Sequence, residues 1–141
     1  MLGVPRLSST YERELKALLE ARGFYVVRAA GSHGLDLVAT RPTRAHGAET
    51  YIVEEKSTRK STFYVGGAEA RGQWAEATSL ARAGHQVLYA VRFKSGHRSD
   101  RWQFFPVNGK QPRPMRRGEG LLLDDVFGPA LEFPREADPG R

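Results

Sequence analysis

The chain has 141 residues, enough for one domain with its own core, and carries 22 basic against 16 acidic side chains, a net charge of +6. It has no cysteine, which excludes disulfide scaffolds, thiolate metal sites and cysteine nucleophiles. No apolar run approaches the roughly 18–20 residues of a membrane span. The opening MLGVPRLSST has no apolar signal core, so a cytoplasmic protein with a polyanionic partner, nucleic acid first, is expected.

Ser9-Thr10-Tyr11-Glu12 reads as a capping box, and Tyr11, Leu15, Leu18, Leu19 and Arg22 follow with helical spacing up to Gly23. This predicts a helix over about residues 9–22. Residues 24–28 (FYVVR) read as a first strand and residues 30–34 as a turn. Residues 35–40 (LDLVAT) form a second strand with a carboxylate among apolar neighbours. Residues 41–49 look like a polar hairpin loop, and residues 51–57 (YIVEEKS) a third strand with charges crowded at its end. Gly66-Gly67 introduce a second helix over about 68–83, with Ala70, Trp74, Ala77, Leu80 and Ala81 near its inner face. Residues 87–91 (VLYAV) are continuously apolar, as in a strand buried on both faces. A helix between strands three and four makes a crossover, so those two strands should be parallel. Residues 101–105 supply a fifth, near-edge strand. The order is αβββαββ, an α/β fold with a central mixed five-stranded sheet flanked by helices. Residues 1–131 are read as one domain and residues 132–141 as a loose tail.

The chemistry concentrates at a few charged positions. Glu54 and Lys56 are two apart on a strand, so both point to one face. If strands two and three are hairpin partners, Asp36 lies beside Glu54, and Glu12 on the first helix can point at the same place. Gathered carboxylates repel unless something positive neutralises them. An oxygen-only donor set without cysteine suits a hard ion such as Mg²⁺, with Mn²⁺ as substitute. A lysine beside such an ion can orient an attacking water and offset charge growing on a phosphate. Glu54-Glu55-Lys56 alone reads better as a solvated strand end, since three-residue matches are common. Asp36 is harder to dismiss, because a charge between two leucines needs a partner.

The stretches YERELKALLEARGFYVVRAAGSHGLDLVA and YIVEEKSTRKSTFYVG, with HQVLYAVRF after them, resemble the archaeal-type (Hjc-type) Holliday junction resolvases. Those enzymes are a branch of the PD-(D/E)xK, restriction-endonuclease-like superfamily. The resemblance runs from about residue 11 to 93. It implies Glu12, Asp36 and Glu54 as metal-binding carboxylates, Lys56 as the catalytic lysine and Ser32 as a serine near the scissile phosphate. It also implies Arg13, Arg28 and Tyr64 at the DNA. The implied activity is a Mg²⁺-dependent, symmetric homodimer that nicks opposing strands of a four-way junction, leaving 5′-phosphates and 3′-hydroxyls. No membrane and no small-molecule cofactor enter this reading.

Two positions depart from the family pattern. Leu35 precedes Asp36 where the superfamily has proline, and Glu55 fills the usually apolar middle of Glu-x-Lys. Either Glu55 faces a wetter layer, or the register is Glu55-Lys56-Ser57; sharing a face with Lys56 favours Glu54. Arg59-Lys60 directly after this strand read as a phosphate clamp or as a solvated loop. Arg113, Arg116 and Arg117 form a basic run between prolines and glycines, either a DNA arm or a loose tail. The four histidines have no metal-ligand spacing. Dimer contacts are expected from residues 63–65, the second helix and residues 121–127. Two alternatives remain: another nuclease of this fold acting on duplex, flap or branched DNA, and a non-catalytic junction-binding protein.

Overall fold

The computed structural model describes residues 7–29, 35–44, 47–94, 101–109 and 111–131; the expected loop with Ser32 and His33 and the tail 132–141 lie outside them. Helix α1 spans Leu7–Glu20, followed by strands β1 (Tyr25–Arg28), β2 (Leu37–Thr43), β3 (Gly47–Thr58) and β4 (Thr62–Phe63). Helix α2 (Ala68–Arg82) leads to β5 (Gln86–Phe93), β6 (Trp102–Pro106), β7 (Met115–Arg116), β8 (Leu121–Leu122) and the short helix α3 (Leu123–Phe127).

The main sheet runs β1-β2-β3-β5-β6-β8, and β4 pairs with β7 in a separate two-stranded ribbon. The pairing of β3 with β5 is parallel and the others are antiparallel, as the α2 crossover requires. The mixed α/β architecture is the expected one, with six strands in place of five. The sixth, β8, is two residues long, too short for any alternation to register. Its place is fixed from β6. The fully buried Gln103 accepts the N–H groups of Gly118 and Gly120 on its side-chain oxygen, at 2.8 and 3.1 Å, and shapes the turn that returns the chain to the sheet.

Two cores sandwich the sheet. Leu15 and Leu19 of α1 pack with Val26, Leu37, Val53, Leu88, Phe104 and Phe127 on one face. Trp74 and Ala77 of α2 pack with Val87, Tyr89, Val91 and Phe93 on the other. β5 serves both, which is why its sequence is apolar without alternation.

Three expectations need correction. Helix α1 is already under way at Leu7, so Ser9 and Thr10 lie inside it and Glu12 is no capping partner. The polar stretch 41–49 is mostly strand. Thr40 and Thr50 share a hydroxyl hydrogen bond of 2.8 Å, Arg41 pairs with Glu49 at 2.9 Å, and Arg41 lies over Phe24. Such cross-strand pairs hold polar residues extended as well as apolar ones do. Phe127, expected at a dimer surface, is fully buried in the α1-side core.

Gly120 is where the β8 turn meets β6. A Cβ there would sit 2.7 Å from a Phe105 ring carbon and 2.8 Å from the Cβ of Gln103. Gly120→Ala should lower stability by roughly 1–3 kcal/mol, the usual range for an overpacked site. Chemical denaturation checks this; an unchanged midpoint would mean that the turn repacks freely.

Candidate active site

Glu54 and Lys56 stand at successive same-side positions of β3, opposite Tyr89 and Val91 of β5, and so face α2. The Lys56 ammonium lies 3.2 Å from Glu54 Oε2 and donates to Gln73 Oε1 at 2.8 Å. Gln73 was missed by sequence reasoning. The only signal was its place beside the core residue Trp74, on the rim of the buried face of α2.

Asp36 sits just before β2. Its N–H still donates to Val53 O at 3.1 Å, so the β2–β3 register, carried one residue further, sets it across from Glu54. Its Oδ2 accepts the backbone N–H of Glu55 at 2.7 Å. A strand N–H lies in the plane of the sheet. The Asp36 carboxylate is therefore held at the β2-side edge of β3, between the face that carries Glu54 and the face that carries Glu55.

Glu55 shares its face with the Val53–Ala90 layer under α1, and Glu12 reaches down from α1 to meet it. Glu12 Oε1 takes Arg28 Nε at 3.1 Å and Arg28 Nη2 at 2.9 Å. Among the described residues, Glu12, Asp36 and Glu55 bring carboxylate oxygens within 4.8 Å of one another. Glu54 is not in that close group. It belongs to the same charge cluster from the opposite face, with Asp36 the foremost charge acting on it.

Burial is deep. Glu54 is 2% and Glu55 4% exposed, and Glu54 Oε1 and Glu55 Oε2 are buried without a hydrogen-bond partner. Burial first, then Asp36, lifts the Glu54 carboxyl to about 7 and the Glu55 carboxyl to about 8. Burial also lifts Asp36 to about 6, against the opposing pull of the Glu55 N–H. Orphaned carboxylate oxygens, no sulfur or imidazole donor, and anions crowded against one another are what a hard divalent cation relieves. The residues present fit such an ion.

The other expected positions are distributed around this centre. Arg28 is an arm of the site itself, through Glu12. Arg13 is exposed on α1, and Tyr64 is exposed after β4. Arg59 and Lys60 are exposed in the turn after β3, where Thr58 Oγ1 accepts the Lys60 N–H at 3.1 Å. The basic run near residue 116 is no loose tail. Arg116 pairs with Thr62, and the Arg117 N–H bonds to Ser61 O at 2.8 Å, so both cations flank the Arg59-Lys60 turn.

A sheet sandwiched by helices, with carboxylates and a lysine gathered where β2 begins beside β3, defines a restriction-endonuclease-like protein. The chain belongs to the archaeal Holliday junction resolvase (Hjc) family, which matches residues 4–119. A similar curated protein is the crossover junction endodeoxyribonuclease Hjc of Methanocaldococcus jannaschii, 48% identical over 60 residues. The matched region is 43% of this chain and 41% of that relative. In structure the chain is similar to the Archaeoglobus fulgidus Hjc, a Holliday junction resolvase from an archaeal hyperthermophile. That similarity has a TM-score of 0.66 at 22% identity, over 88% of this chain and 98% of the other.

The raised carboxyl pKa values fix the sign of a pH effect. Glu54, Glu55 and Asp36 each bind a proton more tightly folded than unfolded. The stability this gives the metal-free protein is complete below the ordinary carboxylate range and is lost as pH climbs through about 6 to 8. In EDTA, the melting temperature of Glu54→Gln relative to wild type should therefore rise steadily between pH 5 and pH 8. A pH-independent difference would show that the Glu54 carboxyl titrates normally.

Proposed function

We propose that the chain is a divalent-cation-dependent endonuclease that resolves four-way DNA junctions by paired nicks, leaving 5′-phosphates and 3′-hydroxyls. The observation that carries this reading is the close carboxylate group of Glu12, Asp36 and Glu55, with the Glu54–Lys56 pair beside it on the opposite face of β3, in a chain of the resolvase family. The names of its relatives add the substrate: a crossover junction and a Holliday junction.

Glu12, Asp36 and Glu54 are the carboxylates that would hold Mg²⁺, or Mn²⁺ in its place. The ion would supply a Lewis acid for the phosphate and a more acidic water. Lys56 has three N–H donors, and Glu54 and Gln73 take two of them. The third is left for a phosphate oxygen or the attacking water, where the ammonium offsets charge that builds during displacement. Gln73 keeps the lysine from collapsing wholly onto Glu54. Arg59, Lys60, Arg116 and Arg117 form a basic rim beside the acidic centre and suit the DNA backbone. Such contacts position a duplex without reading its sequence.

A symmetric homodimer completes the reading, since two nicks related by a two-fold axis need two such centres. Tyr25, Val27 and Val38 supply an exposed apolar patch on paired strands β1 and β2, a better dimer surface than the buried end of α3. The working compartment is then the cytoplasm, where such DNA would be met.

Asp36→Ala and Glu54→Ala should bind a labelled four-way junction as wild type does while nicking falls by about a hundredfold or more, as for loss of a principal catalytic group. Gel shift and a cleavage time course with Mg²⁺ or EDTA measure both. Undiminished nicking in either variant sinks the mechanism. Unpaired cuts in linear duplex would move the reading to another nuclease of this fold.

A further inference from the structure

Glu55 occupies the middle position of Glu-x-Lys, and nothing in the proposed chemistry uses it. As an ordinary spacer it should be apolar, because it points into the α1-side core beside Val53 and Ala90. It is instead a glutamate, 4% exposed, with one carboxylate oxygen that has no hydrogen-bond partner. Its carboxylate comes within 4.8 Å of those of Glu12 and Asp36, the group of three that Glu54 does not enter. Among the described residues no cation pairs with it directly: Lys56 acts on it only from the other face, where it is held by Glu54 and Gln73, and Arg28 engages Glu12.

We propose that Glu55 is a metal ligand, forming with Glu12 and Asp36 a divalent-cation seat on the α1 face of β3, distinct from the Glu54–Lys56 pair on the α2 face. The inference rests on the cation-dependent reading of this site and adds a ligand to it. Three carboxylates from three elements can wrap a hard cation from three directions. Asp36, held in the plane of the sheet by the Glu55 N–H, is the member that both faces share. The seat also explains how a buried glutamate is tolerated. Without a cation, the position is a burden that any apolar residue would relieve.

Mn²⁺ binding to the full chain, measured by calorimetry and by the electron-spin signal of free Mn²⁺, tests this without any nuclease assay. Glu55→Gln, close in size and uncharged, should weaken Mn²⁺ binding by roughly tenfold or more. It should also shrink the rise in melting temperature that Mn²⁺ gives wild type, while leaving the metal-free protein at least as stable. Glu55→Leu should do the same, and if it fails to fold, Glu55→Gln alone decides. Wild-type Mn²⁺ affinity in a folded Glu55→Gln overturns the proposal whatever happens to nicking. Weakened Mn²⁺ binding, in a protein whose wild type never cuts a junction, would uphold the seat and overturn the nuclease reading instead.

Discussion

One hydrogen bond organises the centre: the backbone N–H of Glu55 to Asp36 Oδ2, at 2.7 Å. It stands where β2 stops pairing and β3 continues. A strand N–H exposed there would otherwise need water or a further strand. A side chain takes the place of the missing backbone carbonyl, and because the bond lies in the sheet plane it fixes a carboxylate at the one location visible from both faces. Glu54 and Lys56 then approach from the α2 side, and Glu12 and Glu55 from the α1 side. Moving the end of β2 by one residue would exchange the faces of its side chains and separate the acids.

The rest of the fold keeps α1 from drifting off this point. Glu14, one position past Arg13 in the Glu-Arg-Glu-Leu run, accepts Arg92 Nε at 2.6 Å and Trp102 Nε1 at 3.3 Å. Arg92 also stacks over Tyr11. At the far end Arg22 is buried, donating to Leu18 O, Gly128 O and Asp124. Glu12 and Glu14 thus divide the labour of one motif: one glutamate tethers the helix across β5 and β6, and the other is carried by it to the carboxylate group with Asp36 and Glu55. Arg28, at the last paired position of β1 beside Leu37, orients that second glutamate.

Much of this was legible in the sequence, where apolar periodicity and residue chemistry agree. The two long helices, the parallel crossover and the shared face of Glu54 and Lys56 follow from spacing alone. Asp36 was conspicuous because a charge between leucines demands a reason. What failed was local. Ser9 looked like a cap because hydroxyl-then-glutamate patterns cannot show whether a helix has already begun. Residues 41–49 looked like loop because their polar side chains stabilise one another only across a ladder. Gln73 was invisible because its partner is seventeen positions away on another element. Glu55 was seen as an anomaly, but which face it meets, and which acids wait there, is a matter of tertiary packing.

The separation of acidic centre and basic rim has a consequence for how the site would work on DNA. A phosphodiester brought against Glu12, Asp36, Glu54 and Glu55 adds an anion to a group already short of positive charge. On the proposed reading, the cation and the phosphate therefore help each other bind, by the reciprocity that governs any two coupled ligands. On the same reading, the rim cations at positions 59, 60, 116 and 117 would hold the backbone at a distance from that repulsion, so capture of a junction need not wait for the metal. Neutralising an acid eases the repulsion even as it disables the chemistry. The proposed reading thereby gives binding and cutting to different residues, on either side of the point where β3 ends.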